Sequence, residues 1–238
     1  KYDGKNYFGY EGDTLASALL ANGVHLIGRS FKYHRPRGIM SCGSEEPNAI
    51  CQISDKNDLT EPNVRATEVE IYDGLEAFSQ NCWPNVKFDI GGINNLISPL
   101  IPAGFYYKTF MWPKSFWKKI YEPIIRMSAG LGKAPTQPDP DIYNHKHDHC
   151  DVLVIGAGIS GIMAAKMSAK NGFKTLLVDE KSHLGGSSIY DNSEFSKINN
   201  QITSSWLEKE INEISKLENL EIKTRTSVAA YHGYNFLL

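Results

Sequence analysis

Apolar and polar positions change rhythm several times along the chain, and each rhythm predicts an element. Lys1 to Tyr10 alternates polar and aromatic positions around Asp3-Gly4, a pair that tolerates positive φ, so a strand with a hairpin turn is predicted. Thr14 to Asn22 is mostly apolar and predicts a helix, with Asp13 as its N-cap and Gly23 as the left-handed residue that ends it. Asn48 to Ile53 and Ala66 to Tyr72 predict two further strands, the second closed by the turn pair Asp73-Gly74. Together these make a small α+β unit.

From Cys82 to Pro140 the rhythm is lost. Pro, Gly and aromatics dominate, with Phe105-Tyr106-Tyr107 and Met111-Trp112-Pro113 ahead of a short amphipathic stretch from Phe116 to Arg126. The segment reads as a connector whose aromatics either form a protein interface or staple it to its own domains. Pro135, Pro138 and Pro140 mark a boundary, because a proline ring without an N–H opposes continued helix or sheet.

Regular patterning resumes at Asp151. Asp151 to Ile155 is a short β-branched run, Ile162 to Lys170 reads as a helix, and Phe173 to Val178 as a second strand. Ile198 to Leu220 carries Ile202, Trp206, Ile211, Ile214 and Leu217 at helical spacing, and Glu221 to Val228 alternates like another strand leading into a hairpin. Because strands and helices alternate here, a parallel sheet is expected.

Composition narrows the function classes. The 238 residues fit one large domain or two ordinary ones, and the 20 Gly and 11 Pro are near average usage, which excludes disordered and collagen-like chains. With 25 basic and 27 acidic residues the net charge is -2, so there is no broad positive field for nucleic acid or an anionic membrane. No apolar run reaches the ~18 residues of a spanning helix. Four cysteines, Cys42, Cys51, Cys82 and Cys150, form neither a disulfide framework nor a C-x-x-C pair, and a reducing cytoplasmic setting is expected.

Three segments carry candidate chemistry. Arg29, Lys32, Arg35 and Arg37 lie among Phe31, Tyr33 and His34, a mixture suited to a phosphate, to an acidic partner surface, or simply to a solvated loop anchored by its aromatics. His145, His147 and His149 alternate ahead of Cys150 and would share one face of a strand, where they could hold a transition metal; a hydrophilic linker is the plainer alternative. The third is Gly156-Ala157-Gly158-Ile159-Ser160-Gly161, set between strand and helix. Gly156 permits the tight turn, Gly158 lets a pyrophosphate approach the backbone, and Gly161 allows helix and strand to pack closely. Asp179 follows at the end of the next strand, about twenty residues on, where a carboxylate can accept from a ribose hydroxyl and would repel a 2′-phosphate. Gly156, Gly158, Gly161 and Asp179 are therefore the candidate cofactor-binding residues. No acid, base or nucleophile has a motif around it, so no catalytic residue is assigned, and no metal ligand is either.

The chain also resembles the alpha subunits of heterotetrameric sarcosine oxidases. The resemblance is carried by Glu11 to Val24, by Gly28 to Gly38, by Ala103 to Pro113, and by the glycine turn with Asp179. It implies a ferredoxin-like β-grasp domain over residues 1–95, a linker over 96–149, and an incomplete Rossmann-type dinucleotide-binding domain with a parallel sheet over 150–238, the whole being the N-terminal portion of a longer subunit. It further implies NAD at the glycine turn, with FAD at the same fingerprint as the alternative, and FAD and FMN elsewhere in the complex. Beta, gamma and delta-type subunits would be partners, with sarcosine oxidised to glycine, hydrogen peroxide formed, and a one-carbon unit passed to tetrahydrofolate, both small molecules bound outside this chain.

Relatives with a 2Fe-2S cluster use a C-x4-C-x2-C pattern and a later cysteine. Counting from Cys42, the corresponding positions here hold Pro47, Ile50 and, in Arg65-Ala66-Thr67, a threonine. No iron–sulfur cluster is therefore expected, since these side chains cannot replace thiolates. That absence would favour the oxidase over an FAD-binding subunit of an opine, N-methylamino-acid or hydroxyproline dehydrogenase. A non-catalytic assembly scaffold is the remaining alternative.

Overall fold

The computed structural model describes residues 1–54, 59–100, 104, 110, 112–191, 193 and 195–238. The chain divides into two compact units, Lys1–Ile142 and Tyr143–Leu238.

In the first unit, helix α1 (Leu15–Ala21) is capped one residue later than expected. Thr14, not Asp13, is the N-cap: its hydroxyl accepts from the Ser17 N–H at 3.1 Å while Ser17 Oγ accepts from the Thr14 N–H at 2.9 Å. Asp13 instead accepts from the Ser17 hydroxyl and so orients the reciprocal cap. Gly23, at φ +75°, ends the helix as expected. Two short strands, β1 (Gly28–Arg29) and β2 (Pro36–Arg37), pair antiparallel. The main sheet has the order β4-β3-β5, formed by β3 (Ile50–Ser54), β4 (Thr60–Arg65) and β5 (Glu76–Ser79), all antiparallel.

Two strand expectations are corrected here. Lys1 to Tyr10 forms the turn at Asp3-Gly4 but only bridges at Tyr2, to Lys5 and Ala77. Ala66 to Tyr72 is turn and bridge, while its neighbour 60–65 is the strand. Pro62 fits there because β4 is an edge strand and its register shifts opposite Gln52, so the missing N–H need cost no ladder bond. Tyr2, Leu15, Leu19, Ile27, Cys51 and Ala77 join one buried core.

The connector contains two short helices, α2 (Ile93–Leu96) and α3 (Glu122–Ser128), the second preceded by a wider π-type turn over Trp117–Tyr121. Phe105, Tyr106, Tyr107 and Met111 lie outside the described residues.

The second unit follows its predicted order. Strands β6 (Val152–Ile155) and β7 (Thr175–Val178) run parallel on either side of helix α4 (Ile159–Lys170) in the chain. A short hairpin, β8 (Lys197–Ile198) with β9 (Gln201–Ile202), precedes helix α5 (Thr203–Ile214), which starts later and stops earlier than the hydrophobic spacing alone suggested. Strand β10 (Leu220–Lys223) then pairs parallel with β7. The sheet order β10-β7-β6 is the 3-2-1 half of a doubly wound fold, whose ligands bind beyond the carboxyl ends of the strands. A last hairpin pairs β11 (Tyr231–His232) with β12 (Phe236–Leu237). Ile162, Ala165, Leu177, Trp206, Leu207 and Ile214 fill the core between helices and sheet. Among the described residues no helix is long and apolar enough to cross a membrane.

Candidate functional site: the glycine turn and its acid

Strand β6 ends at Ile155, and the chain reverses through Gly156 at φ +93°, a conformation that disfavours any side chain. Gly156 N–H donates to Val178 O at 2.8 Å, which fixes the turn to the second strand. Gly158 is the N-cap of α4 and supplies no side-chain cap, so the first-turn N–H groups keep their donor capacity at the positive end of the helix dipole. A Cβ on Gly156 or Gly158 would meet no atom within 4 Å, leaving both open to an incoming group. Gly161 differs: a Cβ there would lie 1.8 Å from Gly156 O, so this glycine is required by packing of helix on turn.

Asp179 emerges from β7 beside this turn and is buried. Its Oδ2 accepts from Ala157 N–H at 2.5 Å and its Oδ1 from Lys181 N–H at 2.8 Å. The register Ile155, Val178, Lys223 across the three strands puts Gly156, Asp179 and Thr224 side by side at their carboxyl ends. All four residues proposed from sequence thus meet at one end of the sheet. The arrangement offers backbone donors for an anion and a carboxylate for a hydroxyl, which is the donor set a dinucleotide requires.

The segment that follows β7 also meets the turn, and its Gly185-Gly186 pair reads in the sequence as a second flexible turn after Asp179. Gly185 N–H donates to Ala157 O at 2.7 Å, and a Cβ on Gly186 would come within 3.0 Å of Gly158 Cα, so the Gly185-Gly186 pair lies directly against the turn. The same segment carries His183, whose Nδ1 is 3.2 Å from Ser182 Oγ.

The remaining candidates do not assemble into sites. His145, His147 and His149 lie on an exposed irregular segment rather than a strand, and among the described residues no cluster of three or more His, Cys, Asp or Glu side chains is placed to hold a metal ion. Asp148 instead joins Lys174 at 3.3 Å and Lys223 at 3.2 Å. The His149 N–H, followed by these lysines, lowers its carboxyl to about 2. In the basic loop, Arg29 donates to Val86 O and Lys87 O, His34 meets Asp89 at 2.6 Å, and Arg35 donates to Asn95. These groups tie the loop to residues 86–95.

Glu46 is a feature that sequence spacing did not reveal. It is almost fully buried, and its carboxylate accepts from four backbone N–H groups, those of Met40, Ser41 and Asn48 at 2.7 Å and of Ala49 at 3.1 Å. Burial raises its pKa, but these four donors outweigh it and the net shift is downward.

Comparison with known proteins adds family assignments. Residues 1–82 match the family model described as a 2Fe-2S iron-sulfur cluster binding domain, and residues 151–228 match that of FAD dependent oxidoreductases. The first match corrects the expected cofactor set, which excluded an iron–sulfur cluster and used that exclusion to separate oxidase from dehydrogenase: the unit is of a cluster-binding type. The loop's own side chains fit that group poorly. Cys42 is exposed, the Cys51 thiol is pushed up to about 12 by burial, Thr67 Oγ1 donates to Gly43 O, and Glu46 gathers the backbone donors.

The fold is shared with the crystal structure of L-proline dehydrogenase from P. horikoshii, at a TM-score of 0.56 and 18% identity, over 99% of this chain and 35% of that one. The sarcosine oxidase subunit alpha of Rhizobium meliloti (strain 1021) is 49% identical over 98% of this chain, which spans 23% of that relative's length. The subunit of the same name from Corynebacterium sp. (strain U-96) is 29% identical over 99% of this chain, and 20% of its own length is spanned. Aligned over 98% of its length with one of these subunits and 99% with the other, the chain belongs to the family of sarcosine oxidase alpha subunits.

Proposed function

We propose that this chain is the dinucleotide-holding part of the alpha subunit of a heterotetrameric sarcosine oxidase in the cytoplasm, with NAD at the turn formed by Gly156, Gly158 and Gly161 and its adenosine ribose on Asp179. The observation that carries the reading is the near-complete alignment to sarcosine oxidase alpha subunits, of which the glycine turn and Asp179 are a structured part. A bound NAD would supply a redox-active nicotinamide. The chain's own residues would hold the pyrophosphate at the uncapped start of α4 and the ribose hydroxyls at the carboxylate, and none of them is assigned a step in amine oxidation. That chemistry, from sarcosine to glycine with peroxide formation and transfer of a one-carbon unit to tetrahydrofolate, is assigned to other parts of the complex and to its beta, gamma and delta-type subunits.

A second reading has a specific observation behind it. The match of residues 151–228 to FAD dependent oxidoreductases favours FAD at the same turn, as in an amine dehydrogenase subunit. Denaturing the purified complex and weighing the released nucleotides decides between them. NAD released in proportion to this subunit supports the first reading, FAD in its place supports the second, and neither nucleotide leaves an assembly scaffold. Sarcosine-dependent peroxide formation by the same preparation tests the oxidase activity.

A further inference from the structure

Two segments of the first unit are bonded into one surface. The hairpin of β1 and β2 reaches residues 83–97 through Arg29, whose side chain donates to Val86 O at 2.8 Å and Lys87 O at 3.1 Å, through His34, 2.6 Å from Asp89, and through Arg35, which donates to Asn95 at 2.9 Å. The second segment is also braced within itself. Asp89 Oδ1 accepts from the N–H of Trp83 at 3.0 Å and of Gly91 at 3.1 Å, and Asn85 accepts from the N–H of Phe88 at 2.8 Å.

The polar groups of this junction turn inward and its large apolar side chains outward. The Asp89 carboxylate is 1% exposed and Val86 is buried, whereas Phe31, Trp83, Phe88, Ile93 and Leu96 are 56%, 67%, 70%, 57% and 80% exposed. Apolar residues exposed singly need no explanation. Gathered on two segments that are hydrogen-bonded to each other, and mixed with arginine, they have the makeup of a protein interface, where Trp, Phe and Arg are enriched.

Charge selects the occupant. Residues 28–38 and 83–97 carry Arg29, Lys32, Arg35, Arg37 and Lys87 against a single acid, Asp89, which is buried beside His34, on a chain whose net charge is -2. Among the described residues neither Arg37 nor Lys87 has an ion-pair partner. A second copy of this chain would bring cation against cation, because a two-fold contact sets the same patch on both sides. A face that is apolar at its centre and acidic at its rim complements both features. We infer that this surface docks another subunit of the complex, one that presents such a face. The inference rests on the reading of the chain as part of a multi-subunit oxidase given above.

The test uses the full-length alpha subunit and the assembly of the remaining subunits prepared without it. Oxidative footprinting should label Trp83 and Phe88 in the free alpha subunit and find both protected in the complex. Equal labelling in the two states overturns the inference, as does protection already present in the free subunit, which would mean that its own chain or a second copy covers the surface. Arg37→Glu with Lys87→Glu should weaken association at least tenfold at about 0.05 M salt and by less at about 0.3 M, since salt screens rim charges, while Arg37→Lys with Lys87→Arg keeps the wild-type affinity. Trp83→Ser with Phe88→Ser should cost at least tenfold at both salt concentrations, with the melting temperature of the free subunit unchanged because both side chains are exposed. Wild-type affinity in either the charge-reversed or the serine variant overturns the surface. A wild-type alpha subunit that joins no other subunit overturns the multi-subunit reading itself, and this role with it.

Discussion

Ala157 and Asp179, 22 positions apart, are joined by a 2.5 Å hydrogen bond from the Ala157 N–H to Oδ2 of the carboxylate. The Ala157 carbonyl in turn accepts from Gly185 N–H at 2.7 Å. One residue of the glycine turn is thus held through both its N–H and its carbonyl by the segment that follows β7. Each Asp179 oxygen has one backbone donor, from Ala157 or Lys181, and an ionised carboxylate oxygen has room for a second. A ribose hydroxyl can therefore be accepted without breaking the frame.

This double role makes the carboxylate separable into two effects. Asp179→Ala should weaken NAD binding by ~1 to 3 kcal/mol, the scale of a lost hydrogen bond to a charged group, and should also lower stability without nucleotide because Ala157 N–H loses its acceptor. Asp179→Asn keeps one acceptor oxygen and should recover part of each loss. Calorimetric titration and thermal melting of the same samples give both numbers. Unchanged affinity in Asp179→Ala would remove the carboxylate from the site.

Two glycines of the turn should fail in different ways. In Gly161→Ala the new methyl would meet a backbone oxygen, Gly156 O, and neither backbone can yield cheaply; overpacking of this kind costs about 1 to 3 kcal/mol or more. Gly158 has φ -66° and open space where a methyl would project, so Gly158→Ala should fold with nearly unchanged stability. It should nevertheless bind nucleotide at least tenfold more weakly, since that same space is where the pyrophosphate must approach. Urea unfolding and nucleotide titration of both variants check the contrast, and full binding by Gly158→Ala would place the phosphates elsewhere.

The second unit was legible in sequence because every level of its pattern agrees. The β-branched run to Ile155, the glycines and the small residues of α4 each permit little besides strand, turn and helix. The first unit was less so. Asp13 and Thr14 are both good caps, and only the position of Ser17 decides between them. Pro62 is an unpromising strand residue, and edge placement together with the register shift opposite Gln52 is what admits it. Glu46 could not be found by spacing, because its partners are backbone N–H groups that carry no side-chain signature.

Glu46 should be worth more to stability than surface carboxylates of the same unit. Glu46→Ala leaves four backbone donors without their acceptor, and at about 1 to 3 kcal/mol for an abandoned buried group the loss should reach ~3 kcal/mol even after water recovers some of them. Glu46→Gln retains one acceptor oxygen and should lose less. The pKa is lowered in the folded state, so this contribution is present above the unfolded value near 4.5 and disappears as pH falls through the lower folded value. Urea unfolding at pH 7 and at successively lower pH should show the gap between wild type and Glu46→Gln narrowing only in acid. A constant gap would mean that the charge itself contributes nothing.

A buried ion pair between helices α4 and α5 yields the last prediction. Lys166 Nζ contacts Glu210 at 2.5 Å and Glu213 at 2.7 Å, while Lys170 also bonds Glu213. Lys166 and Glu210 are both buried, so removing one partner strands the other charge away from water. Lys166→Met should cost roughly 3 kcal/mol, whereas Lys166→Met with Glu210→Met should recover most of it, because a matched apolar pair avoids both desolvation penalties. Hydrogen bonds from Lys166 to Glu210 and then Glu213 raise the lysine's pKa, so its contribution is complete below the unfolded value near 10.5 and is lost as pH rises through the folded one. Glu213 runs the other way. Its bonds to Lys166 and Lys170 lower it to about 2, so its contribution holds above the unfolded value and fades as pH falls toward 2. Denaturation of the three proteins at pH 7, at pH 11 and at successively lower pH separates these effects. If Lys166→Met is as stable as the double variant at pH 7, Glu210 has reached water or taken up a proton, and the pair is not buried as a unit.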